Sequence, residues 1–173
     1  MVSTLLSYTF RAGGFALLIT VFYLLYASYK NQEKQTKRYN ACVIFYLCAL
    51  YHITCIRYGI DIERMSHHSV SQIQWIPLID VIALIQEGFI PALLIIGGNI
   101  LWFIPLGMYV YRKYPNHKYY PLIIGFLTSF FIEVSQFILV SGVSDIDDLI
   151  LNTLGCVIGY QLYKTWRLRK KHR

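Results

Sequence analysis

Apolar runs long enough to cross a lipid bilayer recur along this sequence and restrict it to one kind of architecture. Each is roughly 16–22 residues long, close to the about 20 that a spanning helix requires. They fall at about residues 12–29, 39–56, 90–111, 119–140 and 148–163. Only 14% of the 173 residues are charged and 56% are hydrophobic, whereas a soluble domain carries about 25% charged residues. The expected fold class is all-α: a polytopic membrane helix bundle of about five transmembrane helices in a single domain, residues 1–173. Several of the 15 tyrosines punctuate the ends of the runs, as interfacial aromatic belts do. The first run is expected to be retained, because Arg11 is a late first charge and no small-residue cleavage pattern follows it.

The formal net charge of +7 does not point to nucleic acid, because most of it lies between the apolar runs and at the C-terminus. Lys30, Lys34, Lys37 and Arg38 occupy the first loop. Arg112, Lys113 and Lys118 occupy the third. Lys164, Arg167, Arg169, Lys170, Lys171 and Arg173 make up the tail. The second loop, residues 57–89, sets Arg57 and Arg64 against Asp61, Glu63, Asp80 and Glu87, and the turn at 141–147 has no basic residue. Basic loops stay on the cytoplasmic side. Five spans with the N-terminus outside and the C-terminus cytoplasmic follow, and the acidic turn faces out. The basic tail should anchor this orientation against anionic headgroups.

The second loop is long for a bundle. Within it Trp75–Ile85 is apolar but too short to span, and reads as an interfacial or re-entrant helix, with Pro77 suited to its first turn. A plain packing helix over the bundle mouth is an equal alternative. His67 and His68 read as surface-loop residues. Cys42, Cys48, Cys55 and Cys156 lie in or near apolar helices without a CxxC pair, so they read as small hydrophobic residues.

Polar residues concentrate where the fourth run passes through the acidic turn into the fifth. Glu133 and Gln136 are three apart on one helix face. A glutamate there is costly against lipid and is expected to face the bundle interior or a water-filled cavity. Ser144 and Asp145 can cap the next helix, with Asp147 and Asp148 in its first turn. Asp148, Asn152, Gly155 and Gly159 share one face, polar at the outer end and small deeper in. The last two form a GxxxG that permits close helix approach. The third run contributes Asn99, expected near mid-membrane, and Pro105, expected to kink the helix because it cannot donate to Leu101. Gly97, Gly98 and Gly107 should allow close packing. His52 and Arg57 could join from the second run, with Arg57 either a counter-charge for Glu133 or the aspartates or snorkelling to the interface. The expectation is an outward-opening, negatively charged polar pocket built from Asn99, Glu133, Gln136, Asp145, Asp148 and Asn152. It would suit a cation, an amine or a hydroxyl-rich headgroup.

These residues resemble the VanZ family of bacterial membrane proteins over roughly residues 70–163. The strongest part is DIDDLILNTLGCVIGY, where the family pattern falls on Asp145, Asp148, Asn152, Gly155 and Gly159, placing Asp145 and Asp148 ahead of Asp147. Its Glu and Gln fall on Glu133 and Gln136. Its Asn-x3-Phe-x-Pro-x-Gly element falls on Asn99, Phe103, Pro105 and Gly107, with Phe103, Pro105 and the glycines in structural roles. The sequence departs from the family where Ser71 and Gln74 replace a common Arg and Asn. Leu78 follows Pro77 in place of Phe, and Gly142 stands where many relatives carry Arg.

The resemblance implies a cell-envelope role in the bacterial plasma membrane, linked to low-level resistance to teicoplanin, a lipoglycopeptide. Two further readings stand beside it. One is a membrane enzyme acting on a lipid-linked headgroup, with Glu133 as general base and Asp145 and Asp148 as ligands of a divalent cation. The other, a small ion or solute carrier, is disfavoured by five short spans without inverted repeats. No nucleophile–base pair is recognisable, so a non-enzymatic role ranks first and no cofactor beyond that cation is expected. The expected partners are the bilayer and either a lipid-linked wall precursor or the lipoglycopeptide, with no nucleic acid.

Overall fold

Helix formation follows the apolar runs closely. The computed structural model describes residues 2–56, 65 and 73–171. Among these, the elements in chain order are α1 (Val2–Tyr29), α2 (Lys34–Cys55), β1 (Ile73–Gln74), α3 (Ile79–Glu87), α4 (Phe89–Lys113), α5 (Tyr120–Leu139), β2 (Ser144–Asp145) and α6 (Ile146–Lys171). Arg57, Asp61, Glu63, Arg64, His67, His68, Ser71 and Arg173 lie outside the described residues.

Three helices are long and apolar enough to cross a membrane among the described residues: Phe10–Tyr29 within α1, α4 and α5. Their large apolar side chains point outward. Phe22 and Leu25 of α1, Leu94 and Leu101 of α4, and Leu127 and Phe131 of α5 are all exposed. Lipid hydrocarbon can cover such surfaces, and helices satisfy their own backbone groups there. The runs at 39–56 and 148–163 are helical too, but their helices do not reach that apolarity. α2 opens on Lys34, Lys37 and Arg38. α6 opens on Asp147 and Asp148 and ends in a basic run.

The chain divides into two compact units: Met1–His68 with Ile138–Gly142, and Ser69–Phe137 with Val143–Arg173. In the first, α1 and α2 pack as a hairpin. Tyr23 donates to Gln32 Oε1 (3.0 Å) and Lys37 to Ser28 Oγ (3.0 Å), fastening the turn between them. The His52 ring lies against Phe15, centroids 5.7 Å apart.

The second unit is built on α4 against α6. Glycines set the distance. A Cβ at Gly155 would strike the Ile100 carbonyl oxygen, one at Gly159 that of Ile104, and one at Gly107 that of Cys156. Higher residue numbers face higher ones, so α4 and α6 run in the same direction. On α5, a Cβ at Gly125 would come within 2.8 Å of Cys156 Cβ, while Ser129 meets Asn152, so α5 runs the opposite way. Phe103, Leu106, Val110, Ile132, Cys156 and Tyr160 fill this core. The Tyr160 hydroxyl donates to the Pro115 carbonyl (2.9 Å), closing the end by the α4–α5 loop.

Two packing expectations change. Gly97 and Gly98 meet nothing within 4 Å of an added Cβ, because at that level Asn99 and Asp148 bridge the helices through side chains. The second-loop helix starts at Ile79, so Pro77 lies in the preceding turn and not in the first helical turn. Leu78 stands there at φ 67°, a left-handed conformation that a bulky residue keeps only where its surroundings hold it. α4 continues through Pro105 from Phe89 to Lys113.

Candidate functional site: an apolar cleft strapped by the acidic turn

Ser129, Glu133 and Gln136 follow one another at i, i+4 and i+7 along α5, a polar stripe on an apolar helix. Glu133 is only 8% exposed. Its Oε2 accepts the Asp145 backbone N–H (2.9 Å), and its carbonyl accepts the Ser144 hydroxyl (2.8 Å). Both bonds clasp the acidic turn to α5.

The turn then serves the next helix. Asp145 Oδ1 accepts the Asp147 N–H (2.8 Å), the expected cap on the first turn of α6. Asp147 is the most buried of the three aspartates, at 3% exposure. Its Oδ1 accepts the Leu78 N–H (2.6 Å) across 69 positions of sequence. This bond holds Leu78 in its left-handed conformation. Beside it, β1 and β2 pair in parallel, Ile73 with Ser144 and Gln74 with Asp145. Residues 73–78 thus form a strap tied to the acidic turn at three points.

Under the strap lies a cleft of about 290 Å³. Ile73, Gln74 and Trp75 line it from the strap, Phe130, Glu133, Val134 and Phe137 from α5, and Ser144, Asp145, Ile146 and Leu149 from the turn and α6. Its surface is overwhelmingly apolar. Among its lining residues, Glu133 is the one that brings a carboxylate from a helix long and apolar enough to cross a membrane.

The sequence-predicted residues therefore divide. Glu133 and Asp145 reach the cleft. Asn99 donates to Asp148, tying α4 to α6. Asn152 donates to Ser129 Oγ (3.0 Å), tying α6 to α5. Gln136 is half-buried on the Glu133 face and is not part of the cleft lining. Phe103 is buried in the core, and Gly107, Gly155 and Gly159 form the seam. Among the described residues no group of three or more His, Cys, Asp or Glu side chains is placed to hold a metal ion.

Ser129, Asp147, Trp75 and Leu149 were not singled out by sequence as site residues. The stripe spacing would have found Ser129. Asp147 had no local signal for its bond to Leu78.

A family model described as VanZ/LLP1 matches residues 43–167. The match starts within α2, earlier than the motifs at 70–163, and takes in the whole cleft. No curated protein and no solved structure matches the chain. With well over half of its length matched, and with helices fit to cross a bilayer, the chain is a membrane protein that belongs to the VanZ/LLP1 family.

Proposed function

We propose that this protein acts in the bacterial plasma membrane as a non-enzymatic envelope protein that binds the hydrocarbon part of an amphiphile in the strapped cleft. The ligand class is an envelope lipid, a lipid-linked wall precursor or a lipoglycopeptide, and the consequence is low-level resistance to teicoplanin. The observation that carries this reading is the cleft itself: apolar walls with the buried Glu133 among them. Pockets for drug-sized ligands measure about 300–1,000 Å³, so about 290 Å³ suits an acyl chain or a ring, not a whole glycopeptide.

The proposed topology has five spans, with α2 and α6 completing the three apolar ones, the N-terminus outside and the C-terminus cytoplasmic. The alternating directions of α4, α5 and α6 support it. The acidic turn and strap then face outward, where wall precursors and the drug are found. In α3, Ile82 and Ile85 are exposed, which supports an interfacial position for that helix on the outer leaflet.

The test is expression in a susceptible host, comparing teicoplanin with vancomycin, which lacks an acyl chain. The expected result is reduced susceptibility to teicoplanin alone. Unchanged susceptibility to both would count against a resistance role, and equal protection against both would count against recognition through hydrocarbon.

A further inference from the structure

At the opposite end of α6 the chemistry reverses. A second hollow, of about 390 Å³, is lined by Tyr111 of α4 and by Arg167, Leu168 and Lys170 of α6. Arg167 and Lys170 are three residues apart, so both guanidinium and ammonium stand on the same side of the helix. Both side chains are exposed. No aspartate or glutamate occurs between Glu87 and Glu133 or from Leu149 to Arg173. The segments that form this end of the second unit therefore hold no acidic side chain to neutralise the hollow.

Aromatic rings lie against Lys170 at the hollow and against the lysines at the end of α4 and in the α4–α5 loop. Lys170 Nζ lies 5.5 Å from the Trp166 ring centroid. Lys113 Nζ lies 5.8 Å from Tyr109 and 5.5 Å from Tyr114, and Lys118 Nζ 4.8 Å from Tyr119. Tyr111 packs edge-on to the buried Tyr160, centroids 5.0 Å apart, and also touches Tyr163. These two ring contacts seat Tyr111 at the hollow. Amphipathic aromatic rings and basic side chains gather in this way where a helix leaves hydrocarbon for headgroups, and Leu168 gives the hollow an apolar edge.

We propose that Tyr111, Arg167 and Lys170 form a binding site for the headgroup of an anionic phospholipid, with the phosphate as the recognised group. Arg matches phosphate oxygens through its planar fork, Lys adds a second positive charge, and a tyrosine hydroxyl can donate. The site is separate from the cleft and does not depend on what the cleft binds.

The experiment is native mass spectrometry of the full-length protein released from detergent. It is titrated with phosphatidylglycerol, with phosphatidylcholine of the same acyl chains, and with inorganic phosphate as a competitor. Phosphatidylglycerol should bind more tightly than phosphatidylcholine. Each basic residue near an anionic surface is worth roughly a fivefold change in affinity. Arg167→Gln combined with Lys170→Gln should therefore weaken phosphatidylglycerol binding about 25-fold. Lys164→Gln combined with Arg169→Gln removes equal charge from side chains that do not line the hollow and should weaken binding by no more than about fivefold. Equal binding of the two lipids would overturn the proposal, as would equal losses in both double variants. Displacement of the lipid by inorganic phosphate at matching concentration would show a free-anion site and overturn the lipid assignment.

Discussion

Alanine at Gly107, Gly155 or Gly159 is expected to destabilise the α4–α6 pair by about 3 kcal/mol, the upper range for overpacking a close contact. Each added methyl would meet a backbone carbonyl, of Cys156, Ile100 and Ile104 respectively. A carbonyl inside a helix cannot rotate aside as a flexible side chain would, so the whole helix must move and the neighbouring contacts go with it. The intrinsic preference of helices for alanine, about 1 kcal/mol over glycine, acts in the opposite direction and does not offset the collision. Gly97 and Gly98 provide the internal contrast, since nothing lies within 4 Å of a Cβ there. Alanine at either should leave stability unchanged or raise it by up to about 1 kcal/mol. Helical content followed through a denaturing-detergent titration separates the two groups. A similar loss at Gly98 and Gly159 would mean that the glycines act through helix flexibility and not through the seam.

Glu133 should show the second large effect, and the choice of substitution decides what it means. Glu133→Ala leaves the Asp145 N–H without its acceptor in a half-buried turn, at a cost of about 1–3 kcal/mol. It also frees the acidic turn that carries the strap, so teicoplanin protection should disappear. Glu133→Gln keeps an oxygen that can accept the same N–H. Its stability is expected to stay within about 1 kcal/mol of the original, the worth of one ordinary hydrogen bond, and its protection should persist. A membrane enzyme with Glu133 as general base, and Asp145 and Asp148 as cation ligands, requires the reverse: a folded Glu133→Gln protein with no activity. Thermal unfolding in detergent together with drug susceptibility for both variants distinguishes a clasp from a base.

Most of the second unit was legible in the sequence because its signals are local and periodic. Asp148, Asn152, Gly155 and Gly159 share one face by spacing alone, and in the fold that face meets Asn99, Ser129, Ile100 and Ile104 in turn. The cap by Asp145 was readable from the residue type before an apolar run. The strap was not. The bond from Leu78 to Asp147 joins residues 69 positions apart, and a two-residue β-pair has no periodicity to detect. For the same reason the polar residues looked like the lining of one negative pocket. Asn99 bonds to Asp148, Glu133 to the Asp145 N–H and Asn152 to Ser129, and the open volume lies beside these bonds against Phe130, Val134, Phe137 and Leu149. Helical spacing reveals which residues share a face. It does not reveal whether two facing polar groups close on each other or leave a cavity.

In the proposed function the apolar volume of the cleft, and not its polar neighbours, binds the ligand. Val134→Trp tests it most directly. Val134 lines the cleft from α5 and is 38% exposed, so a larger ring can enter the open volume without displacing packed core. At matched membrane abundance and unchanged helical content, the teicoplanin susceptibility of cells expressing Val134→Trp should equal that of cells lacking the protein. Full teicoplanin protection by a folded Val134→Trp protein would contradict the account.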